Sequence, residues 1–159
     1  MSDVSARSIP SRAGGLEPAR VDVAEAMARA PSAGPSIGAV ALAAAARHAG
    51  DALTRPGAPP VSYRDLGRAV REIAGGLAAL GLDGGDRVSI LAGTRPEWTL
   101  ADFGALCAGA VVVPIYYTNS PQECAYVLAH AEVRAVICED AGQAAKVAAV
   151  RHACPGSST

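Results

Sequence analysis

Two short, β-branched-rich apolar runs, Arg87 to Leu91 and Val111 to Ile115, have roughly fifteen helix-compatible residues between them. That spacing predicts a parallel β-α-β crossover rather than a hairpin. The helix is expected to open at Thr94, whose hydroxyl would accept from the N–H of Glu97 while Glu97 reaches back to Thr94, with Pro96 in the first turn where no donor is needed. The arrangement recurs twice downstream. After the second strand, Ser120 and Glu123 form an S-x-x-E capping box with Pro121 at the first helical position, predicting a helix to about residue 131. After an apolar run at Ala135 to Cys138, Asp140 and Gln143 occupy the cap and third-helical positions of a last helix reaching about His152.

Upstream, Tyr63, Leu66, Val70, Ile73, Leu77 and Leu80 recur at spacings of three and four and form one apolar stripe. Arg64, Asp65, Arg68, Arg71 and Glu72 fill the opposite face. Ser62 and Asp65 cap this helix at its start, and Gly81 ends it. An alanine-rich helix over 37–49 is expected to stop at Gly50. Between the two helices, residues 51–54 and 60–62 flank Arg55-Pro56-Gly57-Ala58-Pro59, turn chemistry that predicts a short hairpin. Residues 1–36 mix Ser, Ala, Gly, Pro and Arg with few large apolar side chains, so a flexible tail is expected, with a transient helical turn near 21–29. Pro114 cannot donate to a ladder and belongs at a strand end or an edge. Strands alternating with capped helices define an α/β fold, a parallel sheet with covering helices.

Half of the residues are hydrophobic, enough for one packed domain beyond the tail. Net charge is −1 with neither sign clustered, which leaves no electrostatic footprint for nucleic acid or an anionic membrane. The longest apolar run, residues 38–46, is far shorter than the roughly twenty residues that span a bilayer. No secretory h-region precedes it, and Asp3 and Glu17 argue against a transit peptide, so a cytoplasmic location is expected. Cys107, Cys124, Cys138 and Cys154 contain no CxxC or CxH pair, and free thiols in a reducing compartment are expected.

Candidate chemistry is sparse. The glycines of the run 81–86 follow a helix and enter a strand, the reverse of a phosphate-cradling loop, and Asp83 and Asp86 would repel an anion there. No GxGxxG and no GxSxG occur, and Lys146, the one lysine of the chain, has no glycine-rich loop before it. His48, His130 and His152 sit near predicted helix ends, where they complement the helix dipole. Glu139-Asp140 follows a strand, with Asp140 wanted as a cap and an acidic metal pocket as the alternative. Trp98, Phe103 and Leu106 on the crossover helix read as core rather than ligand box. Tyr116, Tyr117 and Thr118, with Ala92 to Thr94, follow strand carboxyl ends, the edge where open parallel sheets bind ligands. Any small-molecule contact is expected there, and no residue is assigned a catalytic, cofactor-binding or metal-binding role.

The runs GGDRVSIL (84–91), RPEW (95–98), AGAVVVPIYYTNSPQE (108–123) and YVLAHAEVRAVICED (126–140) together resemble the adenylate-forming acyl-CoA synthetases, specifically the long-chain fatty acid ligases. The resemblance runs without gaps from Ser62 to about Pro155. It implies that residues 37–159 are the incomplete N-terminal portion of a much longer AMP-binding domain. Such enzymes adenylate an acid with ATP and Mg²⁺ and then transfer it to coenzyme A. Their phosphate loop, its lysine, the magnesium carboxylate and the second lysine have no counterpart on this sequence. What carries over to Gly85, Asp86, Arg87, Pro96, Glu97, Trp98 and Pro114 is a scaffold role, and the chain is expected to be inactive alone, its partner being the rest of a synthetase. The closing run 154–159 supplies no further apolar strand, which points to a truncated or frame-broken reading of a longer gene, marginally stable and prone to self-association. Two other readings stand beside this one. A flavodoxin-like or receiver-like module would need acidic residues where Arg87 to Leu91 is followed by Ala-Gly-Thr-Arg, and a non-catalytic partner would dock on a full-length synthetase.

Overall fold

The structure is a computed structural model and describes residues 36–150. Residues 1–35 of the expected tail and the ending 151–159, with His152 and Cys154, lie outside the described residues, while Ser36, expected in the tail, caps the first helix by accepting from the Ala39 N–H. In chain order the elements are α1 (Ile37–Arg47), β1 (Asp51–Leu53), β2 (Val61–Ser62), α2 (Tyr63–Ala79), β3 (Arg87–Leu91), α3 (Pro96–Cys107), β4 (Val111–Ile115), α4 (Pro121–His130), β5 (Ala135–Cys138) and α5 (Ala141–Val150). They divide into two compact units.

The first unit holds residues 86–93 and 112–150. Its sheet has the order β4-β3-β5, with β3 and β5 parallel and Val88, Ser89, Ile90 and Leu91 opposite Ala135, Val136, Ile137 and Cys138. All three strands occupy the residues that their β-branched composition predicts. β3 is the central strand and is buried from Val88 to Leu91. β4 lies at an edge, and its exposed Pro114 is the penultimate strand residue, where a missing donor costs no ladder bond. The register puts Leu91, Val136 and Cys138 on one face, and the core there joins Leu91 and Ile115 to Cys124 and Leu128 of α4 and Val147 of α5. Each large side chain so buried contributes roughly 1.5–3 kcal/mol.

Both ends of α4 are locally determined. Ser120 Oγ accepts from the Glu123 N–H at 3.2 Å and Glu123 Oε2 accepts from the Ser120 N–H at 2.7 Å, the reciprocal box read from the sequence, with Pro121 in the first turn. At the other end Glu132 takes the left-handed conformation, φ 50°, and the N–H of Val133 returns to the carbonyl of Leu128. Arg87 holds this turn. Its Nε donates to the Ala131 carbonyl at 2.9 Å, and one terminal nitrogen donates to the carbonyl and the carboxylate of Glu132.

The second unit holds residues 36–85 and 94–111. β1 and β2 form the expected antiparallel hairpin. α2 starts at Ser62, whose Oγ accepts from the Asp65 N–H at 3.1 Å, and ends on Gly81, φ 81°, with the Leu82 N–H returning to the Leu77 carbonyl. Leu66, Val70, Ala74 and Cys107 centre its core, with Leu42, Ala45, Leu53, Leu100 and Phe103 packed around them. Glycines let the helices meet: a β-carbon on Gly38 would lie 2.8 Å from the backbone nitrogen of Cys107, and one on Gly104 would overlap the Ile73 side chain.

Three local expectations are corrected. Thr94 does not cap α3. Pro96 at the first helical position forces its predecessor into extended backbone, so Arg95 (φ −159°, ψ 158°) becomes the cap residue and the Thr94–Glu97 box is out of register by one. Glu97 instead accepts from Arg95 Nε at 2.9 Å, and that guanidinium holds its carboxyl below the ordinary value. α1 ends at Arg47, with extended His48 as its last cap. Gly50 (φ 86°) turns the chain into β1 rather than stopping the helix, and its carbonyl accepts from the Tyr63 N–H. Leu80 falls outside the buried stripe of α2, 60% exposed, because it is the C-cap residue where the helical path ends.

Candidate functional site

In the first unit β3 and β5 run parallel, so their carboxyl ends open on one edge, and the segments that follow them converge there. The N–H of Glu139 donates to the Leu91 carbonyl at 3.2 Å, and Glu139 Oε2 accepts from the Gly93 N–H at 2.8 Å. A β-carbon on Gly93 would sit 3.5 Å from that carboxylate oxygen and 3.7 Å from the Tyr117 ring, which puts the end of β4 at the same edge. Gly93 and Tyr117, two of the positions the strand-end argument names, are therefore brought together, and Glu139 joins them. Thr94 belongs to the second unit and is exposed.

The loop after β4 is tight. The Asn119 N–H donates to the Tyr116 carbonyl at 3.0 Å, while Tyr116 and Tyr117 are 80% and 51% exposed. Lys146 Nζ donates to the Tyr117 carbonyl at 3.0 Å and to the Asn119 carbonyl at 2.8 Å, and Gln143 Nε2 adds a third donor to Tyr117 at 3.1 Å. Asp140 serves as the cap of α5, its Oδ1 accepting from the Gln143 N–H at 2.8 Å. The Lys146–Gln143 anchorage was not anticipated from sequence. The available signal was positional, since 140, 143 and 146 are three apart and share one face of the helix.

The remaining candidates have structural surroundings. His48 ends α1 and lies 5.2 Å from the Tyr63 ring; His130 ends α4 and stacks on Tyr126 at 5.5 Å. Phe103 packs on the second core, and Trp98 and Leu106 are half-buried on α3. Gly85 takes a left-handed turn, φ 89°, and its N–H donates to the Gly109 carbonyl at 2.8 Å. Burial pushes the thiols of Cys107, Cys124 and Cys138 up, and all three are free. Among the described residues no three His, Cys, Asp or Glu side chains gather to hold a metal ion, and no helix is long and apolar enough to cross a membrane.

The edge does not fit the groups the family resemblance implies. Its carboxylates would repel a triphosphate and its one ammonium donates to two backbone carbonyls, so the cationic donor that group requires is engaged elsewhere. The profile of the AMP-binding enzyme family matches residues 42–158. The chain belongs to that family. Among AMP-binding enzymes, it is 38% identical over 95 residues to the long-chain-fatty-acid–CoA ligase FadD15 of Mycobacterium bovis, a match covering 60% of this chain and 16% of the ligase. The N-terminal domain of FACL13 from Mycobacterium tuberculosis superposes with a TM-score of 0.67 at 26% identity, over 79% of this chain and 31% of that one. A shorter protein of Mycobacterium tuberculosis H37Rv, Rv1549, is 38% identical over 89 residues, 55% of this chain and 51% of its own length. The α/β architecture with its parallel sheet is thus that of the N-terminal part of an AMP-binding enzyme, and the chain spans only a small part of the ligases that it matches.

Proposed function

We propose that this chain is the N-terminal scaffold of a long-chain fatty acid CoA ligase, supplying the first strands and helices of the adenylating domain while carrying out neither adenylation nor thioester formation alone. The carrying observation is the match of the AMP-binding enzyme family to residues 42–158 in a chain that covers 16% of the FadD15 ligase; beside it, Lys146, the only lysine in the sequence, is engaged with the carbonyls of Tyr117 and Asn119. Adenylation needs cationic donors aimed at the charge that develops on the phosphates, supplied by lysine, arginine or a metal ion. In this reading ATP, Mg²⁺ and coenzyme A are bound only when the rest of the ligase is present, and residues 37–159 are its opening segment, working in the cytoplasm. The test is palmitate-dependent exchange of pyrophosphate into ATP, measured with the chain alone and with the chain joined to the remaining sequence of a long-chain ligase. Exchange is expected only from the joined protein. Exchange by the chain alone would overturn the reading.

A second reading, a non-catalytic partner of a full-length ligase, draws support from Rv1549, because this chain aligns with half the length of a short relative. It predicts co-purification of the chain with a long-chain ligase that already has its own N-terminal segment.

A further inference from the structure

We propose that Lys146 is a positioning residue: with Gln143 it latches the 116–119 loop to α5 and so sets where Tyr116 and Tyr117 stand at the carboxyl edge of the sheet. The loop's own backbone contributes one turn bond, Asn119 N–H to Tyr116 carbonyl. Two further carbonyls of the loop, those of Tyr117 and Asn119, take donors from α5 at 3.0 and 2.8 Å from Lys146, with Gln143 adding 3.1 Å to Tyr117. An ammonium carries three donors in a tetrahedral array and can bridge two carbonyls two residues apart, and such charged donors form the stronger class of hydrogen bond. A surface lysine ordinarily keeps its head in water. This one is turned onto backbone.

The helix dipole sharpens the argument. Lys146 stands beside the residues that open α4, where a positive charge is unfavourable, so its favourable interaction is with the loop carbonyls and not with the helix. Arg87 does the corresponding work past the other end of α4, on the carbonyls of Ala131 and Glu132, where the dipole favours it. α4 is thus held between two cation-to-carbonyl anchors. The one at its start carries the exposed tyrosines, and the buried Val147 beside Lys146 keeps α5 seated against the sheet. The inference concerns loop geometry and stands whether or not adenylation by the joined protein is found.

The test is amide hydrogen exchange on the full 159-residue chain. Lys146→Met keeps the length of the side chain and removes the charge and all donors. It should accelerate exchange at the Asn119 amide about tenfold or more, while amides of β3 and β5 stay within about twofold. Lys146→Arg, which restores charge and donors, should recover most of the protection. Unchanged exchange at Asn119, or equal acceleration across loop and sheet, would overturn the latch. Should Lys146→Met fail to fold, Gln143→Leu decides, because it removes one of three donors without altering charge: faster exchange confined to the loop supports the latch, and no local change refutes it.

Discussion

The Ser89 hydroxyl, fully buried in the central strand, donates to the Val113 carbonyl of the edge strand at 2.7 Å. A buried hydroxyl among the apolar residues Val88, Ile90 and Leu91 needs such a partner, and here the partner also ties β4 to β3 beside Pro114, which cannot donate to the ladder itself. Ser89→Ala should destabilise the chain by about 1–2 kcal/mol, because the Val113 carbonyl loses its donor in a water-poor site. Urea unfolding should show a lower midpoint at unchanged slope. An unchanged midpoint would mean that water replaces the hydroxyl.

Gly104 and Ile73 make the closest approach between α2 and α3. A methyl on Gly104 would overlap the Ile73 side chain, including its β-carbon at 2.6 Å, so no rotamer change relieves it. Gly→Ala in a helix gains about 1 kcal/mol from propensity, whereas overpacking costs about 1–3 kcal/mol. Overpacking wins. Gly104→Ala should lower stability by a net of up to ~2 kcal/mol, and Ile73→Ala in the same chain should be less harmful than alone. Additive losses in the double-mutant cycle would refute the contact.

The helix caps give a signed pH dependence. Hydrogen bonds from the Ser120 N–H and hydroxyl hold the Glu123 carboxyl below its ordinary value of 4.5, and Ser62 followed by Arg68 hold Asp65 below 3.8. Both folded values are depressed, so the stabilisation they add is present at neutral pH and is lost as pH falls through the depressed values. The melting temperatures of wild type and of the Asp65→Asn/Glu123→Gln double variant should differ at pH 7 and converge below the ordinary carboxylate range. A gap that widens on acidification would reverse the assignment.

Cys107 and Cys124 are buried in separate cores, and burial pushes both thiols up. The thiolate is the reactive form, so iodoacetamide at pH 8 should label them at least about tenfold more slowly in the native chain than in urea, read peptide by peptide by mass spectrometry. Equal rates would show that the cores open faster than the reagent reacts.

Much of the fold was legible because it is locally encoded. The Ser120–Glu123 box, the Ser62 and Gly81 limits of α2, the hairpin about Gly57 and the bounds of β3, β4 and β5 each follow from residues within one turn or one strand of each other. The misreadings have local causes too. At Thr94 the cap signature competed with the backbone restriction that Pro96 places on Arg95, and the restriction prevailed. At Gly50 the left-handed conformation belongs to the turn into β1, three residues past the end of α1, and a glycine signal alone does not distinguish the two.

The sequence by itself determined the order of strands and helices, most of their ends and the family, since these depend on periodicity, caps and motifs of short range. Tertiary structure alone decided that β3 is central and β4 lies at the edge, that Ser89 finds its acceptor 24 residues away, and that the single lysine is turned onto the Tyr117 and Asn119 carbonyls nearly thirty residues earlier in the chain. Those pairings are settled by which strands and helices pack together, a choice among non-local contacts that no window of the sequence contains.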